Sequence, residues 1–305
     1  MIILYHYEMS PFSEKIRLML GYSGLSWQSL VSPAMPPRPN LDPLTGGYRR
    51  IPVAQVGADL FCDTRLISEE IAVMTSRPEL STLRADEELN AYLADLESSV
   101  FWASVLSIPP GVTLKKLVQN LGPWQALRFI RDRAGVGRSA RMDTPSPKQA
   151  RQQFRRHLDE MEQRLQADFL FAAAPCIADF CAYHTLWFTH IVGELPLPPD
   201  LPRVQAWFQR MTAFGHAQRD EITQAHAFAA ARENSPRPVE AAFALDPRIG
   251  NRVSVSPTDY ALDAVNGILV GCSPTRYIVA RETDSFGDIH VHFPRTGFQV
   301  SAGDD

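Results

Sequence analysis

Cysteine is sparse in this chain. The four that occur, Cys62, Cys176, Cys181 and Cys272, form neither a CxxC pair nor a zinc-type spacing. That pattern suits reduced thiols in a cytoplasm better than a disulfide framework. Long apolar runs are also missing. The N-terminal one is only Ile2-Ile3-Leu4, with Glu8 close behind, so no secretory signal is expected. No stretch approaches the ~20 apolar residues that cross a bilayer, so no membrane partner is expected. Positive charge is not in excess: 30 Lys and Arg face 34 Asp and Glu, a formal net charge of −4. This argues against general nucleic-acid binding. Lysine is rare, 4 residues against 26 arginines, so cationic sites favour planar, forked contacts. Internal repeats and low-complexity tracts are absent too.

The 305 residues are 45% hydrophobic and 21% charged, a composition and length suited to two or three folded units. Charge is unevenly spread. Residues 240–305 hold 5 Arg against 9 Asp and Glu, whereas residues 115–164 hold 12 Lys and Arg against 5 Asp and Glu.

Local patterns divide the chain. Residues 2–7 read as a strand, 12–22 as a helix and "WQSLV" as a second strand. After a proline-rich loop, "IPVAQV" and "ADLFCDT" read as strands about Gly57, and "RLISEEIAVMTS" carries apolar residues at helical spacing. From about 83 to 232 helical patterns dominate: 83–106, 114–134, 147–168, 177–192, 202–213 and 217–232. A proline-containing linker follows. Five short β-rich runs then appear, with Val253-Val255 and Ile289-Val291-Phe293 alternating with polar residues as half-buried strands do. The segment "YHYEMSPFSEKIR" lies at the first strand-to-helix junction. Pro11 suits a first helical position and Ser10 the N-cap before it. A hydroxyl there also sits where a bound anion is stabilised.

These landmarks carry a resemblance. "SPFSEKIR", "RRIPVAQVG", "LFCDTRLISEEI" and "APCIADFCAYHTLW" occur in the order and spacing of motifs in cytosolic glutathione S-transferases, here of the bacterial Ser-type. They resemble, in turn, the active-site turn, the cis-proline segment, the Glu-Ser pair opening the third helix and the Ser/Thr-x-x-Asp box. Asp63-Thr64 stands where the family has Glu-Ser, and Cys176 where it has Ser or Thr. The resemblance spans residues 1–232. It implies a multidomain α+β chain: a thioredoxin-like glutathione-binding domain over 1–78, an all-α domain over 83–233, and a β-rich extension over 245–305. That extension is expected to be a small antiparallel, barrel-like unit packed on the all-α domain and free of catalytic residues.

Glutathione is the implied co-substrate. Ser10 is the leading candidate for the hydroxyl that activates its thiol, with Ser13, Tyr7 and Tyr5 as alternatives. Ile51 and cis-Pro52 are expected to present backbone groups to the cysteinyl unit, pairing like an added strand. Asp63 and Thr64 would hold the γ-glutamyl end, and Arg49 or Arg50 a carboxylate. The basic 115–164 stretch would border the second-substrate site. A serine at position 10 cannot form a mixed disulfide, so transfer or addition to a small apolar electrophile is implied rather than thiol-disulfide reduction. The alternative is a non-catalytic, glutathione-binding or regulatory protein with a C-terminal interaction module. A homodimer is expected. His290 and His292 share one strand face, but no third ligand is evident, so no metal is expected.

Overall fold

The computed structural model describes residues 1–140 and 145–303. Residues 141–144 of the basic stretch and the last two of the extension lie outside the described residues.

The chain opens β1 (Ile2–His6), α1 (Pro11–Ser23), β2 (Trp27–Val31), α2 (Asp42–Thr45), β3 (Val53–Val56), β4 (Asp59–Cys62) and α3 (Thr64–Thr75). β1 pairs parallel with β2 and antiparallel with β3, and β3 pairs antiparallel with β4. This is the thioredoxin-like arrangement. α1 begins where Ser10 accepts a hydrogen bond from the Ser13 N–H at 3.1 Å, and it ends at Gly24 with φ 71°. Gly21 lies against the 214–215 turn so closely that a Cβ there would meet the Gly215 carbonyl oxygen at 2.0 Å.

A helical block follows: α4 (Glu87–Asp95), α5 (Phe101–Ser107), α6 (Pro110–Leu121), α7 (Pro123–Ser139), α8 (Pro147–Arg164), α9 (Ile177–Trp187) and α10 (Pro202–Thr212). A π-helical turn, Leu96–Val100, joins α4 to α5. Cys176 caps α9 despite being a thiol, because Asp179 reaches back to its N–H at 2.9 Å.

The segment expected as one helix over 217–232 begins instead with a strand, β5 (Arg219–Glu221), which pairs parallel with β2. Its sequence, Arg-Asp-Glu, has no apolar alternation to announce it. α11 (Gln224–Arg232) then buries Ala227 and Ala231 against the first sheet.

The C-terminal strands are β6 (Arg252–Pro257), β7 (Val265–Cys272), β8 (Arg276–Thr283), β9 (Gly287–Pro294) and β10 (Phe298–Ala302). They are antiparallel to one another, and the extension is β-rich as expected. Two details of the expectation are corrected. The strands form no separate closed barrel: β9 pairs parallel with β4, giving one sheet ordered β10-β6-β7-β8-β9-β4-β3-β1-β2-β5. They also dock on the thioredoxin-like sheet rather than on the helical block.

Strand alternation explains why. Ile2, Leu4, Ala54 and Phe61 face α1, α3 and the helical block. Ile3, Tyr5, Val53, Leu60 and Cys62 face the other way, onto α11 and the extension's Val255, Leu269, Val279, Val291 and Phe293. The extension thus covers apolar surface that the sheet would otherwise expose, and it protects the β4 edge from stray pairing.

Candidate functional site

Three backbone features converge at the C-terminal ends of β1 and β4: the start of α1, the loop before β3, and the turn into α3. Ser10 is 1% exposed. It uses its oxygen to accept from Ser13, which leaves its own proton free to donate. Ser13 is fully buried, and its hydroxyl is unpartnered. The two tyrosines lie on one strand face, as alternation requires. Tyr5 is buried and donates its hydroxyl to Gln55, and burial pushes its pKa well up. Tyr7 is half-buried against the same apolar cluster, and its carbonyl accepts from the Ser10 N–H.

The Ile51–Pro52 bond is cis, as the resemblance implied. Asp63 follows β4 with φ 75°, a conformation that ordinary residues adopt only when their surroundings hold them there. Its carboxylate caps α3 through the Arg65 N–H at 3.0 Å. Thr64 accepts a bond from the Lys15 ammonium at 3.2 Å. Lys15 is 1% exposed and lies within 3.5 Å of Glu97, which also takes Arg65 at 2.9 Å. Burial alone would discharge Lys15, but the Glu97 carboxylate beside it holds the amine charged. A fixed cation therefore stands beneath Thr64, where a ligand carboxylate would be favoured.

Arg49 and Arg50, adjacent in sequence, have separate partners. Arg49 pairs with Asp132 of α7 and with Asp263 at 3.6 Å. Arg50 pairs with Asp259 and the Tyr260 carbonyl, and its guanidinium stacks over the Tyr260 ring at 4.0 Å. Burial would lower its pKa, but the Asp259 carboxylate raises it, so Arg50 is a permanent cation.

The Tyr260 ring in turn meets Trp102 edge-on at 5.4 Å. Phe12 packs on Phe101 at 4.5 Å, and Phe101 on Trp102 at 5.4 Å. An aromatic wall thus runs from Phe12, two residues after Ser10, across α5 to the β6–β7 connection. His184 sits behind it, fully buried, its pKa lowered to about 3 by burial and the Lys15 charge, so it is neutral.

Of the residues singled out from sequence, Ser10, Asp63 and Thr64 lie at the ends of adjoining elements around the cis-Pro52 loop, and Arg50 faces the extension. Sequence reasoning missed Lys15, Phe12 and Tyr260. Lys15 left a faint signal, as one of four lysines placed inside an otherwise apolar helix face. Tyr260 left none, because it stands in a loop that the sequence pattern separates from the site by some 200 residues.

The family described as "Glutathione S-transferase, N-terminal domain" matches residues 4–75, and "Glutathione S-transferase, C-terminal domain" matches residues 126–210. A GST-like protein from Pseudomonas syringae of known structure is 32% identical, with a TM-score of 0.79, over 98% of this chain and 99% of its own. That coverage includes the C-terminal strands. A glutathione S-transferase from Methylobacillus flagellatus with GSH bound is 15% identical over 70% of this chain and 99% of its own, with a TM-score of 0.47. FzlA from C. crescentus is 22% identical over 70% of this chain and 88% of its own, with a TM-score of 0.46. No curated protein matches the chain.

Proposed function

The chain belongs to the glutathione S-transferase family, and from that premise we propose that it binds glutathione and transfers its thiolate to a small apolar electrophile. The observation that carries this reading is the placement of the Ser10 hydroxyl at the N-terminus of α1, beside the cis-Pro52 loop. The thiol of glutathione comes to rest against that hydroxyl. Its cysteinyl backbone pairs with Ile51, and its γ-glutamyl carboxylate lies by Thr64 above Lys15. Asp63 takes the γ-glutamyl amino group.

A free thiol has a pKa near 8.5 and is only about 3% thiolate at pH 7. One charge-assisted hydrogen bond and the α1 dipole together supply the stabilisation that shifts this balance. The Phe12–Phe101–Trp102–Tyr260 wall receives the electrophile and keeps the nucleophile dry. The thiolate sulfur then forms the new bond to carbon, and the displaced group leaves with the electron pair of the bond that breaks. Tyr260 makes the extension part of this site, so the substrate range depends on it. The chain works as a homodimer in the cytoplasm. Its thiols are all free, and Cys62, Cys181 and Cys272 are buried, which accords with a reducing compartment.

Calorimetric titration of the full chain with reduced glutathione and with cysteinylglycine tests the pose. Glutathione binding at least about tenfold tighter, near 1.4 kcal/mol, is expected from the γ-glutamyl contacts. Equal affinity for the two would remove Asp63 and Thr64 from the site. Binding without conjugate formation would instead support the non-catalytic reading.

A further inference from the structure

The parallel pairing of β9 with β4 places His290 opposite Asp59 and His292 opposite Phe61. Asp59, His290 and His292 therefore share the face of the sheet that looks towards α3. Their candidate donor atoms all lie within 4.8 Å of one another. His292 Nε2 is 2.8 Å from Asp59 Oδ1, and His290 Nδ1 is 4.0 Å from the same oxygen. In a tetrahedral site with bonds of about 2.0–2.2 Å, neighbouring donors lie roughly 3.4 Å apart, a value these distances bracket. We propose that Asp59, His290 and His292 bind one divalent cation of the zinc class, which clamps the C-terminal extension to the thioredoxin-like sheet.

A plain buried hydrogen bond explains only part of this cluster. It accounts for Asp59 and His292. It leaves His290 Nδ1 buried and unpartnered. A buried donor or acceptor without a partner is unfavourable unless something meets it. Charge points the same way. Asp59, Glu69 and Glu70 are three nearly buried carboxylates, whereas Arg237 and Arg276 are two guanidiniums. Arg237 is committed to Glu70 at 2.8 Å, and Arg276 to Glu69 and Glu70 at 3.4 and 3.2 Å. Asp59 is left with the Arg237 Nε at 3.9 Å and no closer cation.

The surroundings suit a metal ligand set. The Arg237 backbone N–H donates to Asp59 Oδ2 at 3.0 Å, which orients the carboxylate and leaves Oδ1 for the cation. Phe61 stacks on His292 at 4.6 Å and fixes the imidazole plane. A cavity of about 440 Å³, lined in part by Asp59, Asn234, Ser235 and Arg237, adjoins the cluster. Two nitrogens and one oxygen match zinc better than calcium or magnesium.

The test uses the full chain, stripped with chelator and titrated with cobalt(II) as a visible probe and with zinc by calorimetry. One equivalent per chain is expected, with a d–d band and no thiolate-to-cobalt charge-transfer band. His290→Gln is the diagnostic variant, since the His290 ring makes no hydrogen bond whose loss would unfold the chain. It should melt like the parent in chelator, yet lose at least about tenfold in affinity and any zinc-dependent rise in melting temperature. Asp59→Asn should do the same to binding. No uptake at 100 μM free metal would overturn the proposal, as would undiminished uptake by His290→Gln, which would put the metal elsewhere. Parent chain that retains a thiolate charge-transfer band would also overturn it, in favour of the cysteines.

Discussion

Replacing Ser10 by alanine separates two roles of one hydroxyl. As a cap, the oxygen satisfies the Ser13 N–H at 3.1 Å, and its loss costs about 1 kcal/mol of stability. As a donor, its proton meets the thiolate of bound glutathione. A charge-assisted hydrogen bond of that kind contributes about 1.5–3 kcal/mol, which is roughly 1–2 pKa units on the thiol. A bound thiol with a pKa of about 6.5 is roughly three-quarters ionised at pH 7, and one of about 8 is roughly one-tenth ionised. The conjugation rate at pH 7 should therefore fall about tenfold while glutathione affinity changes little. The assay is the ultraviolet absorbance of enzyme-bound thiolate between pH 5 and 9, run beside a thermal melt. The account expects the midpoint to rise by about 1–2 units. A lower melting temperature with an unmoved midpoint would show that Ser10 is only a cap, and the donor would then be sought at Ser13 or Tyr7.

Tyr260→Ala removes the ring that stacks on Arg50 and touches Trp102; the KM for an aromatic electrophile should rise several-fold, with the glutathione KM within about twofold, and unchanged kinetics would detach the extension from the site. Asp179→Ala strands the N–H groups of Leu170, Cys176 and the Trp207 indole, all held at 2.8–2.9 Å; at about 1–3 kcal/mol for each stranded group, a drop of at least about 6 °C in melting temperature is expected, and a drop below about 2 °C would refute it. Burial would raise the pKa of Glu97, but Lys15 and Arg65 outweigh it and hold the carboxyl below its ordinary range. A depressed carboxylate contributes stability that is present above the unfolded value, about 4.3, and is lost as pH falls through the folded one. Melting temperature followed from pH 6 to 3 should therefore fall more steeply in the parent than in Glu97→Gln, and parallel curves would contradict the assignment.

Local signals made the first half of the chain legible. Ser10-Pro11 announces the start of α1, and Ile51-Pro52 the bend into β3, because capping and proline geometry act over a few residues. The C-terminal strands were legible as strands, since Ile289, Val291 and Phe293 alternate. Their destination was not. Nothing local tells an edge strand which sheet it will join, and the pairing of β9 with β4 links positions more than 200 residues apart. The same separation hid the third member of the Asp59–His290–His292 cluster, so that two histidines on one strand looked like an incomplete set. It hid Tyr260 as well, since a loop residue carries no periodicity. β5 escaped notice because a three-residue polar strand is held by its neighbour β2 rather than by its own pattern.

The most direct test of the proposed function is mass-spectrometric detection of a glutathione conjugate. The full chain is incubated with reduced glutathione and a small apolar electrophile at pH 7, beside a chain-free control. The account predicts a conjugate that forms in proportion to protein, saturates with glutathione, and falls about tenfold in Ser10→Ala. Product formed no faster than in the control, from chain that binds no glutathione by calorimetry, would contradict it.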